Sequence, residues 1–404
     1  MRGRVARKAL ALGGAGVLVL GIAGCQQQST PEEEAAQTSL KIVEQFPIDE
    51  NGAQIKPPDT AAAADPAGDG KAVCDPTKIA MMGALTGPDA ALGINIVNGA
   101  QLAVDKHNAA NPGCQVTLEK FDTEGDPNKA NGVAPRIVDS PEIIGLIGPA
   151  FSGETDSTGG LFSQAGLTAT TASATRVDLS TKGWRTFFRG LGNDGSQGKA
   201  VANYLKNTLG NKKVCVVDDQ SAYGIGLATV VRETLGPVAD PGCNISVKKE
   251  DKDLSAAVTQ IKGVSPDSIF YSGYYSQAAP FVQQLRDGGV TATFVSADGT
   301  KDPEFVKQGG DAAKDAILSC PCSPAPPAFA KEYTDKFKQE PGTYSTEGYD
   351  LATIQLKAID SGVKDRPGML EFVKNYNAPG VARNYQWDPT GELTNTLIWV
   401  YKVQ

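Results

Sequence analysis

Hydroxyl and acid side chains recur at one kind of position in this 404-residue chain, just past short apolar runs. After IIGLIG come Ala150, Phe151 and Ser152, and after GLTATT come Ser173, Ala174 and Thr175. Tyr223 lies in DDQSAYG, Tyr274 in IFYSGYY and Asp298 in TFVSADG. Two chemistries use such residues. A serine can attack a carbonyl, or hydroxyls and free backbone N–H groups at a helix start can grip a carboxylate without reacting. The inventory disfavours attack. His107 is the only histidine, and it sits on INIVNGAQLAVDKHN, far in sequence from any candidate serine, so a triad would lack its base. Ser152 also misses the GxSxG elbow, because Ala150 and Glu154 stand where glycines are required. No GxxxxGK[ST] loop or HExxH helix occurs, and the GIG of residues 224–226 is a poor dinucleotide fingerprint. Cys320-Pro321-Cys322 has no second closely spaced pair to complete a zinc site, so neither metal nor cofactor is expected. What remains is a cradle for a carboxylate facing an acid that suits an ammonium, the two ends of an α-amino acid. The chain reads as a binder and not an enzyme. A secreted hydrolase using Ser152 is the alternative from a different class, and the sensory domain of a signalling receptor is a third.

The elements that must position these residues follow from hydrophobic periodicity. KIAMMGA, QVTLEKF, IIGLIG, VCVVDD, SIFYSG and TFVSAD are apolar runs of strand length, while INIVNGAQLAVDKHN, SQGKAVANYLKNTL, IGLATVVRETL and AAPFVQQLRDGG carry apolar residues at helical spacing. Alternation of this kind implies βαβ units with parallel sheets, whose carboxyl ends are where small ligands bind. One set of units runs from about 78 to 190 and a second from about 194 to 320. The openings KIAMMGALTG and KVCVVDDQSAYG form a faint internal echo. The expected fold is α/β, two doubly wound parallel-sheet lobes joined by a three-strand hinge: residues 76–192 with 322–380 in one lobe, 193–321 with 381–404 in the other. The chain would then cross near 192, 321 and 381.

The first 24 residues carry Arg2, Arg4, Arg7 and Lys8, no acid, and then ALALGGAGVLVLGIAG, the order of parts in a secretory signal peptide. Ile22-Ala23-Gly24-Cys25 resembles the lipobox of bacterial lipoproteins, which implies a lipidated Cys25 and an extracytoplasmic, membrane-anchored chain. Residues 25–75 then read as the lipidated cysteine and a flexible tether, since QQQSTPEEEAAQ and PPDTAAAADPAGDGK are too polar to pack. Loss of the leader leaves 34 basic against 46 acidic residues, a net charge near −12, which disfavours a nucleic-acid surface. Six cysteines remain, Cys74, Cys114, Cys215, Cys243, Cys320 and Cys322. An even number in an exported chain reads as disulfides; six allow fifteen connectivities, and three local bridges, 74–114, 215–243 and 320–322, are favoured.

The stretches KIAMMGALTGPDAALG, FDTEGDPNKA, IGPAFSGETD, TATTASAT, FRGLGNDGSQG, DDQSAYGIGLA, FYSGYYSQAA and YQWDPTGEL together resemble the branched-chain amino acid-binding proteins of ABC importers, the type I solute-binding proteins, from about 76 to 404. The resemblance implies a two-lobed fold closing about a hinge near Asn193, Pro321 and Gly380, a monomer that docks on a membrane permease, and a small amino acid as ligand. It places the amino and carboxylate contacts on Ser152, Ser173, Thr175, Tyr223, Tyr274 and Asp298, with Asp194 as a further contact and Leu92 and Phe151 beside the ligand's side chain. Asp298 stands where well-known members carry glutamate and Leu92 where leucine binders carry tyrosine. Phe151 and Gly125 stand where those binders carry a disulfide pair. Another amino acid, an amide or a urea-like solute is therefore an open alternative to leucine, isoleucine or valine.

Overall fold

The computed structural model describes residues 39–57 and 62–404; the expected leader and Cys25 lie outside them. The first lobe is built on a five-stranded parallel sheet. Its strands lie in the order Val116–Asp122, Thr77–Gly83, Ile143–Ile147, Thr168–Thr171, Phe187–Arg189. The second sheet has seven strands, ordered Ile42–Ile48, Ile398–Val403, Ile317–Cys320, Thr293–Ser296, Ser268–Ser272, Val214–Asp218, Ala239–Ser246. Runs such as IIGLI, VCVVD and SIFYS are buried on every residue, as strands covered by helices on both faces must be. In each lobe the first strand of the set lies between the second and the third, so the winding direction reverses beside Thr77–Gly83 in one and beside Val214–Asp218 in the other. The loops leaving those strands diverge and open a crevice, the general place for a ligand in such sheets.

The second sheet departs from an all-parallel arrangement at one edge. Ile398–Val403 pairs antiparallel with Ile317–Cys320 and with Ile42–Ile48. The second of these pairings corrects the reading of residues 25–75 as a free tether. Ile48 is buried against Tyr204, Ile398 and Val400, with Phe46 packed beside them. Further on, Ala64 N–H donates to Pro379 O at 2.8 Å, and the Asn111 side chain holds the backbone of Ala67 and Ala72. The short apolar run IVEQFPI was masked by polar flanks, but a strand edge in need of partners accepts so short a segment. All three local bridges are present: Cys74–Cys114, Cys215–Cys243 and Cys320–Cys322.

After Cys320 the chain returns to the first lobe. Helix Ser345–Asp360 lies against helix Ala90–Ala110, and the approach is so close that a Cβ on Gly99 would sit 2.0 Å from Ser345 O and one on Gly348 2.4 Å from Ile96 O. Residues 384–392 also stay with this lobe, which corrects the expected third crossing near 381. Trp387 packs edge-on against Phe188 and donates from Nε1 to Arg189 O at 2.6 Å, and Arg189 N–H donates to Gly391 O at 2.8 Å. The passage lies near Thr396. There Gly192, Pro321 and Thr396 meet: a Cβ on Gly192 would stand 3.2 Å from both of the others, so all three connections gather at one point.

Because Ile48 is seated in the second lobe, Ile48→Ala in the full chain should cost about 2–5 kcal/mol in urea denaturation. An unchanged midpoint would put the segment outside the cooperative fold.

Candidate functional site

The crevice lies where strand ends of both lobes face one another, and the helix starts there are set by local capping. Ser152 opens helix Ser152–Gln164, and Phe151 N–H donates to Glu154 Oε2 at 2.8 Å. Asn193 caps helix Asp194–Asn203 by accepting from Ser196 N–H at 3.1 Å, which leaves Asp194 in the first turn. Ser221 caps the helix carrying Tyr223, and Tyr274 precedes helix Tyr275–Asp287.

In the first lobe Ser152 Oγ accepts from Arg176 N–H at 3.2 Å, and Ser173 Oγ donates to Ala150 O at 2.5 Å. Those bonds tie the two hydroxyl loops together. Thr175 is fully buried and its hydroxyl has no hydrogen-bond partner among the described residues. Arg189 holds this loop from below: buried itself, it pairs with Glu392 at 2.8 Å and donates to Ala174 O and, at 3.0 Å, to Arg176 O. In the second lobe Tyr223 Oη donates to Asp298 Oδ1 at 2.9 Å. Tyr344, from the segment that returns to the first lobe, donates to Asp298 Oδ2 at 2.6 Å. Phe151 and Tyr274 meet across the seam with ring centres 4.6 Å apart, and Tyr223 lies 5.3 Å beyond. Leu92 is buried in the same apolar core as these rings. Gly125 faces Phe151 so closely that a Cβ there would come within 2.7 Å of the ring, so the aromatic fills the space opposite the glycine.

The charges are arranged unusually. Asp194 and Asp298 are both buried, and neither forms an ion pair among the described residues. Both oxygens of Asp194 lack a hydrogen-bond partner among the described residues. Burial pushes its carboxyl up to about 8, with the charge of Asp298 adding to the rise. Thr175, Arg189 and Arg176 are near enough to oppose that shift, although Thr175 does not reach the geometry of a full hydrogen bond. Burial also raises Asp298, against the favourable dipoles of Tyr344, Gln197 and Tyr223. The three tyrosines are raised well above their ordinary value by burial and remain hydroxyl donors. A cavity of about 620 Å³ lies outside this polar group, with Phe151, Tyr223 and Tyr274 on its inner wall. A second, of about 530 Å³, runs along the seam past Ala91, Asn95 and Tyr275.

Ser152, Ser173 and Thr175, with Phe151, stand on the first lobe's side of the seam, and Asp194, Tyr223, Tyr274 and Asp298 on the second lobe's side, while Leu92 is buried within helix Ala90–Ala110. Sequence reasoning missed Arg189, Tyr344 and Glu154. Glu154 is buried beneath the crevice, accepts from Thr123 and Phe151, and is pushed up to about 7 by burial. Arg189 carried a signal, since a lone arginine ending the apolar strand FFR needs a buried partner. His107 is buried too, with its ring engaged by Asp360 at 2.8 Å and by Asn108, so it is not directed to Ser152.

Two lobes of matching strand order, with strand ends turned on a shared polar crevice, define the bilobal α/β binding proteins. The chain belongs to the periplasmic binding protein family, whose model matches residues 76–404. An amino acid binding protein of Pseudomonas aeruginosa is 30% identical over 335 residues, covering 80% of this chain and 89% of that one. The Leu/Ile/Val-binding protein BraC3 of Rhizobium johnstonii is 29% identical, covering 80% and 90%. Among solved structures, the branched-chain amino acid transporter substrate-binding protein LivJ from Streptococcus pneumoniae, in complex with isoleucine, superposes with a TM-score of 0.75 at 30% identity, covering 80% of this chain and 95% of that chain.

The raised carboxyl of Asp194 fixes the sign of a pH effect. An acid that titrates at 3.8 when exposed and at about 8 when folded leaves the folded state holding the extra proton between those values. Its contribution is present in full below pH 4 and is lost as pH rises towards 8. Asp194→Asn should therefore raise the Tm of the unliganded chain at pH 8 and flatten the fall in Tm between about pH 4 and pH 8. A profile parallel to wild type would show that the carboxyl is not held in a dry site.

Proposed function

We propose that this chain is a lipid-anchored extracytoplasmic solute-binding protein that captures a small amino acid, branched-chain in the first instance, by closure of its lobes and delivers it to an ABC permease. The observation that carries this reading is Asp194, a buried acid with two unpartnered oxygens beside the unpartnered hydroxyl of Thr175. An α-ammonium between Asp194 and Asp298 supplies the missing cation, and the α-carboxylate takes the hydroxyls and N–H groups around Ser152, Ser173 and Thr175. Phe151, Tyr274 and Leu92 wall the side chain. Since the contacts come from both lobes, the ligand has differential affinity for the closed form and shifts the population towards it. The names of the relatives support an amino acid as the solute. Tyr344 favours a second reading, a small polar amino acid or an amide, because its hydroxyl brings a polar group to Asp298. Cys25 supplies the anchor in this reading, through the lipobox around it.

A thermal-shift screen of amino acids, amides and polyamines on the full chain separates these readings, since a ligand at 100 times its dissociation constant adds about 2.7 kcal/mol. Leucine, isoleucine or valine should give the largest shift. In calorimetric titration Thr175→Val should lose about 1.5–3 kcal/mol of binding, the worth of a charged hydrogen bond. Asp194→Asn and Asp298→Asn should abolish binding while the proteins still melt cooperatively. Unaltered affinity in all three would place the ligand elsewhere.

A further inference from the structure

We propose that Lys249 of the second lobe, paired with Asp89 of the first above the Tyr274 ring, is the positioning residue that keeps the lobes shut and so sets how slowly the solute leaves. Asp89 occupies the N-cap of helix Ala90–Ala110, where an aspartate ordinarily turns its carboxylate onto the helix N–H groups. Here the side chain makes no cap bond, and only its backbone carbonyl accepts, from Leu92 N–H at 3.2 Å. The carboxylate, with none of its side chain exposed, is in ionic contact with the Lys249 ammonium instead. Among the described residues this is the one ion pair that joins the two lobes. Other polar contacts across the seam are hydrogen bonds, among them Ala91 N–H to Tyr275 Oη at 3.2 Å, Asn95 Nδ2 to Asp302 Oδ2 at 2.9 Å, Tyr344 Oη to Asp298 Oδ2 at 2.6 Å and Thr343 Oγ1 to Lys301 O.

The position of Lys249 gives the pair its role. Its ammonium stands 5.2 Å from the centre of the Tyr274 ring, which in turn rests on Phe151 of the opposite lobe. Lys249, Tyr274, Tyr223 and Phe151 all line the outer cavity of about 620 Å³, whereas Ser173, Thr175, Asp194 and Asp298 do not. The aromatic layer thus separates the inner polar group from the outer space, and the ion pair spans that layer from lobe to lobe. The same ammonium favours the charged forms of Asp219 and Glu154, one acid on each lobe. Opening the crevice parts Lys249 from Asp89 and lifts Tyr274 off Phe151 in the same movement. Removing the lysine alone leaves a desolvated carboxylate in the closed form and a solvated one in the open form, so the cost falls on closure. A contact made only after the lobes meet alters the dissociation rate and leaves encounter unchanged.

This inference rests on the reading of the crevice as the solute site, and the experiment separates the two. The full chain and its Lys249→Met, Lys249→Arg and Asp89→Asn variants are compared by small-angle scattering without ligand and by stopped-flow release of isoleucine. Lys249→Met and Asp89→Asn should scatter as more open molecules than wild type, and Lys249→Arg as wild type. Isoleucine should leave Lys249→Met roughly tenfold faster while its association rate stays within about twofold, with arginine restoring the slow release. Scattering profiles and release rates indistinguishable from wild type in Lys249→Met would overturn the proposal. Failure of isoleucine to bind any of the four proteins would count against the amino acid reading alone, and the scattering comparison would still decide the latch.

Discussion

Two carboxyl groups held out of water between the lobes, with no lysine or arginine among the described residues bonded to either, set the terms for the rest of this molecule. Desolvating a carboxylate without a partner is expensive enough that the group neutralises or acquires a cation. The chain has basic residues within reach and commits them elsewhere. Arg189 is saturated by Glu392 and two carbonyls, and Arg176 is paired with Asp156 and Asp178. The arginines thereby stiffen the hydroxyl loops and leave Asp194 waiting. In the proposed reading the solute's ammonium is the absent cation, which ties capture of the solute to the electrostatic cost of closing the lobes.

Both lobes reach the crevice by the same device. Each winds outward in two directions from its first strand, and the loops at that reversal carry Phe151 and Ser152 in one lobe and Asp219, Tyr223 and Tyr274 in the other. The repetition of strand order makes the faint echo between the two opening segments a structural one. Gly192, Pro321 and Thr396 then bring the three connections together at one point, the place where a change of angle between the lobes is absorbed in the proposed reading.

The amino-terminal segment adds something that the family match, beginning at residue 76, does not contain. Ile42–Ile48 pairs along the antiparallel edge of the second sheet, which would otherwise present unpaired N–H and C=O groups, while residues 62–75 lie along the first lobe and end at the Cys74–Cys114 bridge. A segment that reads as a spacer is thus partly a component of both lobes.

Much of this was legible from residue order. Apolar runs of strand length alternating with helical patterns determined the layered α/β architecture, because burial on both faces demands such runs. The positions of Ser152, Ser173, Thr175, Tyr223, Tyr274 and Asp298 just past those runs marked one end of each sheet, since a strand's direction carries its carboxyl end with it. What residue order could not determine was anything that depends on contacts across long sequence separations. Tyr344 reaches Asp298 and Asp89 reaches Lys249 only because the chain passes between lobes, and no local periodicity records such a meeting. The third crossing moved from 381 to about 396 for a similar reason, because Trp387 and Gly391 are retained by Phe188, Arg189 and Phe187 through packing alone. Local pattern reports which face of an element is buried; which partner buries it is decided by the assembled lobes.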